Sequence, residues 1–424
     1  MKRDGFSQIP VLQATKEAVL QAERELAPVF LRFEEIEAKN QWKVLNALQE
    51  ENIAQRHFAG TTGYGYDDVG RDAFDRAFAR AMDAKSALVR PQIVNGTHAL
   101  YLALSGLLRP NETLLCITGK PYDTLDEAIT APANSSFGAL SEFKIEYKQL
   151  ELKNDKIDTE AVCEALKDSS VKVVYAQRSR GYAWREAISL AEFESVFAKV
   201  HDLRPDVFIV VDNCYGEFTQ TMEPTAIGAD IIAGSLIKNP GGGLAPTGGY
   251  IAGNEAAVER IAHRLTVPGM GGEVGSYAAG YLPFFQGLFL APHVTCQSLK
   301  TAALFARVLE NRGMLTLPRS DAERFDIIQA LRLNDAQSLI SFVKSIQKAA
   351  PVDSFVVPEP WDMPGYSHPV IMAAGTFIQG ASIELSADAP IREPYTAYIQ
   401  GALTYSHGRI AVMLTLDSLM RGIS

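Results

Sequence analysis

Between about residues 72 and 253, segments with helical spacing of apolar side chains alternate with short apolar runs, and no other feature of the chain restricts its fold as strongly. The helical segments run to Met82 and then cover 97 to 107, 158 to 167 and 189 to 201. The apolar runs are 86 to 89, 113 to 117, 144 to 148, 171 to 176, 207 to 211, 230 to 234 and 249 to 252. Such alternation builds parallel strands joined by helical crossovers. The expectation is an α/β fold: a mostly parallel seven-stranded sheet with helices on both faces.

The flanking regions read differently. Apolar positions at helical spacing between 12 and 52, among them Leu26, Val29, Phe33, Val44 and Leu48, predict two amphipathic helices forming an N-terminal arm. The segment AGTTGYGYDDVGRD, 59 to 72, breaks the period with four glycines and places Tyr64, Tyr66 and Arg71 on an irregular loop. Beyond about 255, long helices are predicted near 255 to 264, 274 to 289, 293 to 312 and 335 to 348. Strands follow around 324 to 329, 353 to 357, 370 to 374 and 380 to 384, with a last helix near 394 to 420. This region reads as a smaller α+β domain closing over the large one. The resulting scheme is an arm at 1–58, a large domain at 59–262 and a C-terminal domain at 263–424.

With 424 residues, 47% hydrophobic and 21% charged, the chain can bury a full core. A net charge of -10 disfavours binding to nucleic-acid phosphates or anionic lipid, so no nucleic acid and no membrane are expected as partners. Cys116, Cys163, Cys214 and Cys296 stand singly, which suits a reducing cytoplasm better than a disulfide framework. Residues 1 to 25 are charged and lack a continuous apolar core, and no run elsewhere is long enough for a membrane helix, so export and insertion are not expected. The seven histidines lack metal-ligand spacing, and no metal site is expected.

In open α/β sheets ligands sit beyond the carboxyl ends of the strands, so residues that follow the apolar runs are the candidates for chemistry. Asp212 ends VFIVV, a run that predicts a buried central strand, where an acid is costly unless paired. About 26 residues later Lys238 ends a second run, and a glycine-rich loop follows. An acid and a lysine so placed suit pyridoxal 5'-phosphate: the lysine would hold it as a Schiff base and the acid would keep its ring nitrogen protonated. After 86 to 89, Asn95-Gly96-Thr97-His98 opens a helix, and its backbone N–H groups form an anion site that Gly96 lets a phosphate approach. A plainly capped helix is the other reading. His98 is placed near the cofactor, or is a satisfied helix-terminal histidine. After 113 to 117, Tyr122 can stack on a flat ring or simply pack. After 171 to 176, Gln177, Arg178, Ser179, Arg180 and Arg185 crowd together, either as a solvated turn or as contacts to the cofactor's phenolic oxygen or a substrate carboxylate.

Ser235 and Lys238 also share the Ser-x-x-Lys spacing of penicillin-binding serine enzymes, but the Ser-Asp-Asn and Lys-Thr-Gly elements those enzymes need do not occur. Ser235 fits better as a phosphate ligand. The glycine-rich loop lacks a Gly-Lys-Ser/Thr ending, and no Gly-x-Gly-x-x-Gly opens the first βα unit, so nucleotide readings lose support.

The elements TTGYGYDDVGRD, NGTHAL, GKPYDTL, QRSRGYAWR, VDNCYGEF, GSLIKNPGGGLAPTGGYIAG, VPGMGGEVG and SIELSADAPIREPYTAYIQGALTYSHGR lie within residues 58 to 409. Together they resemble the methionine γ-lyase-like, aluminium-resistance family, related to cystathionine β-lyase among the fold-type I pyridoxal phosphate enzymes. The resemblance implies that fold, and a carbon–sulfur lyase acting on a small sulfur-containing amino acid of the cystathionine, cysteine or methionine type. An aldolase, racemase or aminotransferase would use the same residues, and a cofactor-binding protein without turnover is a further alternative. It implies that Lys238 binds the cofactor, Asp212 pairs with its ring nitrogen, Tyr122 stacks on it, and Gly96, Thr97 and Ser235 hold its phosphate. It also implies a homo-oligomer, a dimer or a homotetramer built as a dimer of dimers, in which Tyr64 or Tyr66 reaches the partner's phosphate. For the substrate carboxylate it points to Arg392 or Arg409. Where the well-studied lyases carry a threonine before the lysine, this chain has Ile237.

Overall fold

The computed structural model describes residues 8–130, 137–363 and 368–421. The parts of the 1–58, 59–262 and 263–424 domains that fall at 1–7, 131–136, 364–367 and 422–424 lie outside the described residues.

The seven expected strands form one sheet. They are β1 (Ser86–Arg90), β2 (Thr113–Cys116), β3 (Glu146–Gln149), β4 (Val171–Gln177), β5 (Phe208–Asp212), β6 (Ile231–Ser235) and β7 (Gly249–Gly253), in the order β1-β7-β6-β5-β4-β2-β3. All neighbours from β6 to β3 pair in parallel, while β7 runs antiparallel to both β6 and β1. Two antiparallel steps restore direction, so β1 points the same way as the other five and β7 alone is reversed.

The pleat sorts the buried side chains onto two faces. Leu88, Leu114, Val173, Val210, Ile231 and Ile251 pack with helices α3 (Gly96–Leu107) and α7 (Glu255–Leu265). Val89, Leu115, Val174, Val211, Ile232 and Tyr250 pack with α2 (Val69–Ala81) and α6 (Leu190–Leu203). Strands covered on both faces carry apolar residues at every position, which is why these runs were legible. Two short helices, α4 (Asp123–Thr130) and α5 (Thr159–Ala165), lie between strands of this series.

By compactness the chain divides into two units. One comprises Lys39–Gly181 and Arg185–Ala291 and contains the seven-stranded sheet; the other comprises Met1–Ala38, Tyr182–Trp184 and Pro292–Ser424. The second unit holds an antiparallel five-stranded sheet of β8 (Thr316–Leu317), β9 (Gln329–Arg332), β10 (Val370–Ala373), β11 (Ser386–Pro390) and β12 (Thr396–Gln400), ordered β10-β11-β12-β9-β8. Helix α9 (Ala336–Ala349) packs on this sheet and against α10 (Tyr405–Arg421).

Several local expectations are corrected. The arm is one helix, α1 (Gln13–Glu50), and 274 to 312 forms one helix from Leu282, α8 (Leu282–Glu310), even though they contain Pro28 and Pro292. An internal proline costs about 3 kcal/mol, which the packing of flanking turns at Leu26, Val29, Leu288 and Ala291, all buried, can offset. Residues 353 to 357 form no strand, since Phe355 and Val357 face solvent with no partner edge. The strands expected at 324 to 329 and 380 to 384 sit later, as β9 and β11. The expected helix 394 to 420 begins only at Tyr405, because 396–400 is paired on both sides as β12 and every residue there is buried. Arg71 is not on the loop: Asp68 caps α2 by accepting from the N–H groups of Gly70 and Arg71, so the helix starts earlier.

Candidate active site

Because only β7 is reversed, the carboxyl ends of β1, β2, β4, β5 and β6 meet at one sheet edge, and each delivers an expected residue there. From β1 the chain enters α3 at Gly96 and Thr97; from β2 it reaches Tyr122; β4 ends at Gln177, β5 at Asp212 and β6 at Ser235, three residues before Lys238. Alternation along the strands puts Tyr175, Gln177, Asp212 and Ser235 on the α3 face of the sheet.

The N-terminus of α3 is built for close approach. Asn95 caps it, its side chain accepting from the His98 N–H at 2.8 Å. A Cβ on Gly96 would lie 3.3 Å from Ser235 Cβ and 3.4 Å from Cys214 Sγ, a tight fit that shows how near the helix terminus sits to β6. Tyr122 donates from its hydroxyl to Thr97 Oγ1 at 2.9 Å, and its backbone N–H donates to Gln177 Oε1 at 3.0 Å. Three strands are thereby tied together around one tyrosine. His98 is used locally: its Nδ1 accepts from the Val94 N–H at 3.1 Å, and burial lowers the ring's pKa, so it stays neutral.

Asp212 is buried. Its Oδ1 accepts from the Cys214 N–H at 3.0 Å, and Tyr175 donates to Oδ2 at 3.5 Å. Burial pushes the Asp212 carboxyl up, against the charge of Lys238 and these hydrogen bonds. Lys238 is half-buried, and its ammonium lies 4.0 Å from the centroid of the Tyr215 ring. Burial works to lower its pKa, but the anionic surroundings prevail and the lysine is held well above its ordinary value. The groups that act on it in that direction are Cys214, Tyr215, Asp212 and Tyr122. Among the described residues Asp212 and Lys238 are not in direct ion-pair contact.

Arg180 is buried and lies 3.7 Å from Glu186. Tyr64 and Tyr66 are 68% and 58% exposed, their rings 5.7 Å apart. Arg392 and Arg409 belong to the second compact unit. There Arg392 is exposed and Arg409 donates to Glu23 at 3.2 Å.

Behind the expected residues stand Tyr175 and Glu217, which escaped the sequence reading, and Arg178, which was read only as one of the crowded group after 171 to 176. Tyr175 lies one strand from Asp212, two residues before the Gln177 that pairs in register with it. Arg178, wholly buried, donates to Asn213 Oδ1, the Gly216 carbonyl and Gln220 Oε1, holding the loop after β5. Glu217 is buried and accepts from the Tyr250 hydroxyl at 2.6 Å. Only strand register and the alternation of faces could have signalled Tyr175, and nothing local signals Glu217.

Burial pushes the Glu217 carboxyl up to about 8 from an ordinary 4.5, with the Tyr250 hydrogen bond opposing the shift. The folded protein thus keeps a proton that the unfolded chain releases, so stability falls as pH rises between those values, by roughly 1.4 kcal/mol per pH unit. Glu217→Gln, neutral throughout, is expected to flatten that slope in urea unfolding measured across the window. Parallel slopes for the two proteins would show that Glu217 is ionised in the fold.

Comparison with known proteins bears on the family and the fold. The methionine gamma-lyase family model matches residues 15–420. The uncharacterized protein YnbB of Bacillus subtilis (strain 168) is 47% identical over 407 residues, 96% of each chain. The crystal structure of a carbon-sulfur lyase involved in aluminum resistance, from Clostridium novyi NT, is 49% identical, with 98% of each chain covered and a TM-score of 0.94. The pyridoxal-5'-phosphate dependent protein YhfS of Escherichia coli, at 16% identity, shares the fold, with a TM-score of 0.63 over 92% of this chain and 97% of its own. The architecture is the fold-type I fold of pyridoxal phosphate enzymes, and by sequence and structure alike the chain belongs to the methionine gamma-lyase family.

Proposed function

We propose that the protein is a pyridoxal phosphate-dependent carbon–sulfur lyase that acts on a sulfur-containing amino acid of the cystathionine, cysteine or methionine type by β- or γ-elimination. The observation that carries this reading is the meeting of Lys238, Asp212, Tyr122 and the Gly96–Ser235 contact at one sheet edge. The donor set suits that cofactor: an amine for covalent linkage, a buried carboxylate for a ring nitrogen, a phenol ring beside them, and a helix N-terminus with two hydroxyls for a phosphate.

When bound, the cofactor supplies an electron sink for negative charge at the substrate α-carbon. Lys238 would hold it and, when free, would move the proton at that carbon. Asp212 would pair with its ring nitrogen, its own carboxylate being supported by Tyr175 and the Cys214 N–H. Tyr122 would supply the flat partner for its ring; Gly96, Thr97 and Ser235 would receive its phosphate, with His98 neutral beside them. Gln177 and Arg180 are kept as contacts on the substrate side, and Arg392 or Arg409 as the anchor of its carboxylate.

The same reading includes a cytoplasmic homo-oligomer, a dimer or a dimer of dimers, in which Tyr64 or Tyr66 serves the neighbouring subunit's phosphate. It includes 59–262 as the cofactor-holding domain, with 1–58 and 263–424 as arm and second domain. Ser235 makes no hydrogen bond to the Lys238 side chain among the described residues, which favours this reading over a serine hydrolase. No helix among the described residues is long and apolar enough to cross a membrane.

The test is to supply the protein with pyridoxal phosphate and assay cystathionine, cysteine and methionine with product identification. Keto acid, ammonia and a released thiol from one of them are expected. A holoprotein that exchanges amino groups without releasing sulfur would overturn the lyase assignment, and a protein that takes up no cofactor would overturn the whole reading.

A further inference from the structure

The loop that follows β5 has an unusual backbone. Tyr215 has φ of 71° and Phe218 of 60°, the left-handed region that bulky side chains avoid, so this segment is held in shape from outside. The restraints are on both sides. Arg178 grips Asn213, Gly216 and Gln220, and Asn213 Nδ2 donates to Glu223 Oε2 at 2.8 Å. Below, Glu217 accepts from Tyr250 on β7, whose hydroxyl lies 2.7 Å from where a Cβ on Gly234 would stand, so β6 must carry glycine there. The loop is also tied to the lysine segment, because Asn239 Nδ2 donates to the carbonyls of Tyr215 at 3.1 Å and Glu217 at 3.0 Å.

These restraints place the Tyr215 ring 4.0 Å from Lys238 Nζ. The face of an aromatic ring carries negative charge density and attracts a cation, and it does not attract a neutral amine. We propose that Tyr215 is a positioning residue for Lys238: its ring is the seat of the lysine's ammonium whenever the lysine is not linked to cofactor, and the Glu217–Tyr250 pair keeps that seat in place. The proposal rests on the reading of Lys238 as the cofactor-bearing residue. In turnover the displaced lysine has to stay close and carry a proton, and a fixed ring face limits where its long flexible chain goes.

The groups facing Nζ are Asp212 at the end of β5, Cys214 and Tyr215 on the loop, and Tyr122 ahead of α4, with Glu217 behind the loop. Asp212 attracts the ammonium whatever stands at position 215, so the ring's share shows only when the ring alone is changed.

The experiment measures the rate of reductive methylation of Lys238 by peptide mass spectrometry in cofactor-free protein, from neutral to alkaline pH. The rate follows the fraction of free amine and needs neither cofactor nor turnover. Tyr215→Phe keeps the ring face and is expected to match the parent within about threefold. Pentafluorophenylalanine incorporated at Tyr215 keeps the shape and reverses the face charge, so Lys238 should be methylated about tenfold faster at neutral pH. Glu217→Leu should shift in the same direction, and Glu217→Gln should not. Equal rates for the parent and the pentafluoro variant, or a Phe variant that shifts as far, would overturn the proposal. Adding pyridoxal phosphate to the same preparations separates the two readings: a parent protein that develops no visible absorbance refutes the cofactor assignment, whereas the methylation rates decide Tyr215 alone.

Discussion

Lys238→Ala is expected to lose the visible absorbance that pyridoxal phosphate gives with the parent protein and to lower turnover by about a thousandfold or more. On the proposed function, two tasks leave with the side chain: the covalent hold on the cofactor and the proton transfer at the substrate α-carbon. The fold should survive. Lys238 is half-buried, it follows β6 rather than lying within it, and its backbone bonds to Ser235 and Gly241 do not involve the side chain. Removing the cation leaves Asp212 buried with Tyr175 and the Cys214 N–H as partners, so the variant's carboxyl should bind a proton more readily than the parent's. Spectra and keto acid release, measured with circular dichroism as a check on folding, decide the matter. A folded Lys238→Ala protein that still forms the band would show that another lysine carries the cofactor.

Asp212→Asn should give the second largest effect, about a hundredfold to a thousandfold on turnover, comparable to removing one preorganised electrostatic contact from an active site. The amide keeps the size and can accept from the Cys214 N–H, yet it cannot keep a ring nitrogen protonated. Cofactor binding through Lys238 should therefore persist while turnover fails, which separates this variant from Lys238→Ala. Loss of the carboxyl also withdraws one of the groups that raise the Lys238 ammonium, so its amine should titrate at lower pH than in the parent. Turnover within a few fold of the parent would remove Asp212 from the proposed role.

The strands of the large sheet, apart from the exposed edge strand β3, and the residues at their ends were legible because they are buried on both faces. Continuous apolar runs such as 207 to 211 stop at the end of the strand, and the polar residue that follows marks the sheet edge, as Asp212 and Gln177 do although both are buried. The second unit was less legible. Its antiparallel sheet contains β12, an apolar stretch adjoining a helix, and periodicity over so few residues does not separate a buried strand from the start of that helix. The two prolines misled for a related reason: a proline's local penalty is visible in sequence, and the packing of the turns around it is not.

The sequence by itself determined the succession of the seven strands of the large sheet, the acid and the lysine at two strand ends, and the family to which the chain belongs. These rest on local chemistry: hydrophobic period, chain-breaking glycines and motif spacing. The tertiary structure alone decided which ends share an edge, since that depends on the reversal of β7, and which residues stand behind the expected ones. Tyr175 reaches Asp212 across a strand pair, Gly96 meets Ser235 across about 140 residues of chain, and Tyr250 reaches Glu217 beneath a loop whose backbone no single residue would choose. Contacts of this kind follow from register and packing between segments far apart in the chain, so no local pattern encodes them.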